Sequence, residues 1–216
     1  MNIRALIAEF LGVFTLCFVG IGAIAATQGG DLMVIALAYG LALGLAILAL
    51  GAISGGHFNP AVTFGLLITG RITPVSAVGY WVAQLLGGLV AAFFIGAIYG
   101  GDAVANGVPV PGADHTAIQA MMMEIFLTFF LVSVIVGSTV FNNYSFAGLA
   151  IGLAFTMGIL AGGAVSGAAM NPARVLGPAI VGGEWTVHWV YWVGPLVGAG
   201  LAALLYDFLY SKRASS

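Results

Sequence analysis

The chain has 216 residues, of which 6% are charged and 62% hydrophobic, and its formal net charge is −2. So little charge excludes an ordinary soluble domain of this length, which needs far more to coat its surface. The absence of a basic cluster gives no sign of nucleic acid, and a single cysteine, Cys17, excludes an intrachain disulfide.

Taken in chain order, the apolar runs predict helices. Residues 5–26 carry one charge, Glu9. Arg4 before this run and Ala23-Ile24-Ala25 near its end imitate a secretory leader. Glu9 interrupts the imitation and has a counterpart at Glu124, so a retained first span is expected. Residues 32–53 form a second, uncharged run. The glycine-rich stretch 51–57 is expected to be irregular and leads into Asn59-Pro60-Ala61. Residues 59–69 then read as a helix of about 11 residues, or ~16 Å, too short to cross a bilayer. Residues 72–99 are the third span, and 100–116 an outer connection.

The second half follows the same plan. Residues 117–139 and 144–165 are two further spans, 162–169 another irregular glycine-rich stretch, 171–181 a second short helix, and 187–210 the last span. Each long run is near or above the roughly 20 residues that a helix needs to cross a ~30 Å hydrocarbon core.

The halves match in detail. Glu9 precedes Asn59, and Glu124 precedes Asn171, by about 50 residues each. Ser54-Gly55-Gly56-His57-Phe58-Asn59-Pro60-Ala61 is answered by Ser166-Gly167-Ala168-Ala169-Met170-Asn171-Pro172-Ala173. Three spans per half invert the second repeat relative to the first, and inverted repeats place a shared site near the midplane, built by interrupted helices. The expected fold is an all-α membrane protein: six transmembrane helices plus two re-entrant half-helices in an inverted 3+3 repeat. It is read as one channel domain over 1–216, with repeats 1–99 and 117–210 joined by 100–116. With the N-terminus inside, Arg4, Arg71, Lys212 and Arg213 are cytoplasmic, as the positive-inside tendency requires, and both termini lie there. Asp31, Asp102, Asp114 and Glu184 then lie outside, and the sequon at Asn143 lies inside, where it is silent.

The short helices carry the chemistry. Asn59 and Asn171 are N-caps with Pro60 and Pro172 at the first helical position. Two helix N-termini facing each other, each worth about half an elementary charge, make a midplane hostile to cations and hopping protons. Capping through the side-chain oxygen leaves each amide NH2 free to donate to a passing oxygen. Carbonyls of Gly55, Gly56 and His57, and of Gly167, Ala168 and Ala169, are expected as acceptors on either side, opposite an apolar wall. Glu9 and Glu124 are expected to hold the re-entrant loops, and Arg174, just past Asn171, to repel cations in the outer half.

These residues resemble the aquaporin (major intrinsic protein) family over essentially the whole chain. The likeness rests on both Asn-Pro-Ala motifs, Glu9 and Glu124, Arg174, and Trp192 in the last span. It implies a narrow filter at Tyr39, Ile159, Ala168 and Arg174, placed by spacing from the two asparagines. That set departs from the strict water-channel pattern, where a polar histidine is expected instead of Ile159. It departs also from glycerol facilitators, which resemble Trp, Gly, Phe and Arg followed by Asp; here Val175 follows Arg174. The reading is a passive water channel in the cell membrane that excludes ions and protons, with glycerol, urea and ammonia as further candidate solutes. The resemblance also implies a homotetramer with one pore per protomer.

Other readings are weaker. A secondary transporter uses the same architecture but wants an ionisable residue reachable from both sides, and Glu9 and Glu124 already have a role. An enzyme lacks a nucleophile–base set. No cofactor is implied, and His57, His115 and His188 are too dispersed for a metal site. Gly20-Ile21-Gly22-Ala23-Ile24-Ala25 fits a dinucleotide fingerprint but lies in a span without a preceding strand, so it reads as helix packing.

Overall fold

The structure, a computed structural model, describes residues 2–211; Lys212 and Arg213, assigned above to the inner side, lie outside the described residues. Six helices among the described residues are long and apolar enough to cross a membrane. They are α1 (Ile3–Thr27), α2 (Leu32–Ser54), α4 (Pro74–Tyr99), α6 (Ala117–Ile135, continued by a π turn over Val136–Val140), α7 (Ala147–Ser166) and α9 (Val190–Ser211). Two short helices, α3 (Pro60–Ile68) and α8 (Pro172–Gly182), are the half-helices, and α5 (Gly101–Ala105) adds one turn in the connection between the halves.

Polar caps start the spans. Asp31 accepts from the Val34 amide at the head of α2, Thr73 precedes Pro74 at the head of α4, and Thr116 with Gln119 forms a capping box on α6. Each satisfies amides that a helix start leaves open.

The irregular stretches are shorter than glycine content suggests. Instead of unwinding at 51 and 162, α2 continues to Ser54 and α7 to Ser166, where Gly55 and Gly167 take left-handed cap conformations at φ 91° and 77°. A glycine inside a helix costs about 1 kcal/mol, whereas a backbone group left unpaired at membrane depth costs several. The helical bonds therefore persist until the turn itself. The fifth and sixth spans begin later than the hydropathy suggested, at Ala147 and Val190.

Packing crosses between the halves. Within each half α1 lies on α4 and α6 on α9; α2 packs against α7 at the junction; and each half-helix docks on the other half, α3 against α9 and α8 against α4. Small residues permit the approach, as is usual where backbones meet in membranes. A Cβ on Gly177 would fall 2.3 Å from the Gly88 carbonyl carbon, and one on Gly152 would fall 2.4 Å from the Gly40 oxygen. The outward faces remain apolar: Leu37, Leu41, Leu45 and Leu48 form an exposed stripe on α2.

Candidate pore where the half-helices meet

Both asparagines cap their helices. Asn59 Oδ1 accepts from the Ala61 amide at 2.8 Å; Asn171 Oδ1 accepts from Ala173 at 2.9 Å and Arg174 at 3.4 Å. Their amide nitrogens then cross between the halves. Asn59 Nδ2 donates to the Met170 carbonyl at 2.7 Å, and Asn171 Nδ2 to the Phe58 carbonyl at 2.9 Å. A carboxamide has two N–H donors, so one hydrogen of each is engaged by the protein and one is left. The amides are thus half free, because the paired turns lock onto each other.

Beside this meeting point is a small cavity of about 10 Å³. Its polar lining comes from Asn59, Asn171, Gly56 and His57, and the remainder is Leu43, Ile47, Val62, Leu131, Ile135, Ile151 and Phe155. The polar groups sit on the unwound segments and the apolar ones on surrounding helices.

Buried carboxylates hold those segments. Glu9 accepts from the His57 and Phe58 amides at 3.0 and 2.7 Å, from Ser54 Oγ at 2.6 Å and from Gln84 Nε2 at 2.7 Å. Glu124 accepts from the Ala169 and Met170 amides at 2.8 and 2.7 Å and from Ser166 Oγ at 2.7 Å. Fully buried carboxylates at membrane depth persist only with partners of this kind.

Sequence reasoning missed the shell around them. Tyr80 Oη donates to the Ser54 carbonyl at 2.7 Å, and Tyr191 Oη to the Ser166 carbonyl at 2.9 Å. The signal was available, since each tyrosine follows its asparagine by about 20 residues and each serine repeats. Also unanticipated was a polar chain confined to the first half: His57 Nδ1 lies 3.0 Å from Thr63 Oγ1, which accepts from Gln84 Nε2 at 3.0 Å. At the matching offsets from Asn171 stand Ala169 and Val175.

The turns are strained. Phe58, Ala168 and Met170 have φ of 45°, 47° and 53°, a region side chains other than glycine seldom enter and which surrounding contacts must enforce. Here the enforcing bonds are those from the Phe58 and Met170 amides to Glu9 and Glu124.

Arg174, in the first turn of α8, is buried, 3% exposed. Its Nη1 donates to the Ala168 carbonyl at 3.1 Å, and both terminal nitrogens reach the Gly167 carbonyl at 3.5 Å. Two of the carbonyls expected as acceptors for a permeant are therefore engaged by the guanidinium. Gly55 and Gly167 close their helices as caps, while the Ala169 amide is held by Glu124. The Arg174 Cζ stands 4.2 Å from the Tyr39 ring centroid, and Ile159 is buried on α7. Trp192 Nε1 donates to His188 Nε2 at 3.1 Å. His188, ahead of α9, is held below the ordinary imidazole range by partial burial.

Comparison with known proteins agrees with this architecture. The family described as Major intrinsic protein matches residues 1–206. The chain is 43% identical to the probable aquaporin TIP3-2 of Arabidopsis thaliana, covering 96% of this chain and 84% of that one. It is also 43% identical to aquaporin TIP2-1 of the same plant, over 97% and 88% of the respective chains. The X-ray structure of the aquaglyceroporin from Plasmodium falciparum superposes with a TM-score of 0.89 at 28% identity, covering 99% of this chain and 98% of that one. A multi-pass membrane protein with two capped half-helices meeting at paired Asn-Pro-Ala turns, this chain belongs to the major intrinsic protein family.

Proposed function

We propose that the chain is a passive channel that conducts water in single file and excludes ions and protons. The observation that carries this reading is the crossed asparagine pair on the polar side of an otherwise apolar cavity. Each amide keeps one N–H for a passing oxygen. A water accepting from both is turned with its hydrogens away from the midplane, which breaks the donor chain a proton would follow. Facing helix N-termini add positive potential there, and Arg174 adds a full charge further out. In this reading Tyr39, Ile159, Ala168 and Arg174 form the outer narrowing, and pore diameter, lining donors and dipoles together select the solute. Relatives carrying the name aquaporin support water as the first permeant.

A second reading, passage of glycerol, urea or ammonia, is favoured by the apolar Ile159 and small Ala168 in the narrowing, and by the likeness to a structure titled an aquaglyceroporin. The chain works without a catalytic step or cofactor, as one domain of two repeats, 1–99 and 117–210, joined by 100–116. We place it in the cell membrane with both termini cytoplasmic, on the side of Arg4 and Arg71, as a homotetramer with one conduit per protomer.

Stopped-flow shrinkage of reconstituted vesicles under sucrose, glycerol and urea gradients tests the function. Rapid water efflux with slower glycerol entry is expected. Water flux no greater than in empty liposomes would overturn the channel reading, and glycerol entry as fast as water would reverse the order of the two solutes.

A further inference from the structure

The His57 ring lines the cavity beside the asparagine pair, and which of its nitrogens carries the proton follows from a count of hydrogens outward from Glu9. The two Glu9 oxygens take four donors: Oε1 from Ser54 Oγ and the His57 amide, Oε2 from the Phe58 amide and Gln84 Nε2. A carboxylate has about four lone-pair sites, so these bonds fill it. That fixes the sense of the Gln84 amide, because the reverse would set its oxygen against the carboxylate. The cost is a buried Gln84 Oε1 without a partner. The second hydrogen on Nε2 then goes to Thr63 Oγ1 at 3.0 Å. Thr63 donates its one proton to the Asn59 carbonyl at 3.1 Å, one turn back at the head of α3. The remaining lone pair of Oγ1 faces His57 Nδ1 at 3.0 Å. A lone pair needs a hydrogen opposite it, so Nδ1 is the protonated nitrogen. The reverse arrangement, with Thr63 donating to Nδ1, gives up the bond to Asn59 and makes one hydrogen bond fewer.

We propose that Thr63 is the positioning residue of His57: it holds the neutral ring in the Nδ1–H tautomer, so that Nε2 stands as a lone-pair acceptor beside the asparagine pair. The part this acceptor plays in permeation rests on the channel reading. His57 is partly exposed, and its Nε2 has no hydrogen bond to the protein among the described residues. Tyr80 packs edge-on against the ring, with centroids 5.0 Å apart, and its own hydroxyl is engaged by the Ser54 carbonyl. The ring makes no ion pair among the described residues, and the two positive helix ends beside it disfavour a second proton. A water that accepts from the asparagines has its hydrogens turned away from them. On the His57 side, the Nε2 lone pair is a side-chain partner for such hydrogens. The second half offers none, since Ala169 and Val175 stand at the offsets of His57 and Thr63. The opposite tautomer would aim an N–H at the same hydrogens and slow the column.

Solid-state nitrogen NMR on protein with isotope-labelled histidine, in liposomes at neutral pH, reads the tautomer; the His57 signals are identified by their loss in His57→Phe. Wild type and Thr63→Ser are expected to show a protonated Nδ1 and a bare Nε2. Thr63→Val, of similar shape without the oxygen, is expected to lose that preference and populate the Nε2–H form. Unchanged signals from His115 and His188 report that the variant is folded, and the wild-type spectrum decides even where it is not. Water flux into the same vesicles is expected to fall about fivefold in Thr63→Val, the scale of one hydrogen bond, and to be recovered by Thr63→Ser. Absence of wild-type water flux overturns the channel reading, while the tautomer still stands or falls on the spectrum. The proposal fails if wild-type His57 carries its proton on Nε2 or on both nitrogens. It fails also if folded Thr63→Val keeps the wild-type spectrum or the wild-type flux.

Discussion

Gln84 donates its side-chain amide to Glu9 at 2.7 Å, tying a carboxylate on α1 to a helix that lies beside it, α4. Glu124, the matched carboxylate, is held by Ser166 and two backbone amides, and the position that would answer Gln84 by its offset from the shell tyrosine is Pro195. The two repeats thus share a plan for their turns but differ in how firmly each carboxylate is braced from outside.

The brace can be removed separately from the carboxylate it holds. Glu9→Ala and Glu124→Ala each strip the partner from two buried turn amides, at about 1–3 kcal/mol for each group left unsatisfied. Both variants are expected to unfold at lower temperature in detergent and to conduct less water. Gln84→Leu is expected to weaken only the first turn, by about 1 kcal/mol, so its melting temperature should fall between those of wild type and Glu9→Ala. Equal melting temperatures for Gln84→Leu and Glu9→Ala would show that the backbone bonds to Glu9 contribute little.

The α2–α7 contact offers a test of packing. A Cβ on Gly40 would lie 1.9 Å from Thr156 Oγ1 and 2.5 Å from the Gly152 oxygen, whereas one on Gly101 meets nothing within 4 Å. Gly40→Ala is expected to destabilise by about 1–3 kcal/mol, the usual cost of overpacking. Gly101→Ala should stay within about 0.5 kcal/mol of wild type. Thermal unfolding of the two purified variants compares them directly.

Asn171→Asp removes the Nδ2 donor to the Phe58 carbonyl and places an anion where two helix N-termini meet. Capping survives, because a carboxylate oxygen still accepts from Ala173. The expected result is a folded channel with weakened cation exclusion. A proton or sodium leak in vesicles held under a potential, absent in wild type, would demonstrate it.

His188 supplies a pH test outside the spans. Its Nε2 accepts from Trp192, which requires the neutral ring, and partial burial lowers its pKa from the ordinary 6.5. A lowered histidine pKa means that the unfolded chain binds the proton more readily than the folded one. The contribution is therefore complete above about pH 6.5 and declines as pH falls toward the folded value. Tryptophan emission should shift on acidification through that window in the wild type, and His188→Phe should lose that part of the change.

Much of the molecule was legible in the residues themselves. Runs such as 32–53 must be helical because lipid offers no partner for an open backbone, and the Asn-Pro pairs mark the starts of α3 and α8 because asparagine caps while proline lacks an amide to satisfy. Repetition of those signals fixed the inverted plan. Sequence could not decide which donors and acceptors meet once the halves interlock. The crossed bonds from Asn59 to Met170 and from Asn171 to Phe58, and the Tyr39 ring lodged against Gly20, join residues of different helices. Such pairings depend on distances and directions to within an ångström, set by how the helices pack, and no local pattern of residue types encodes them.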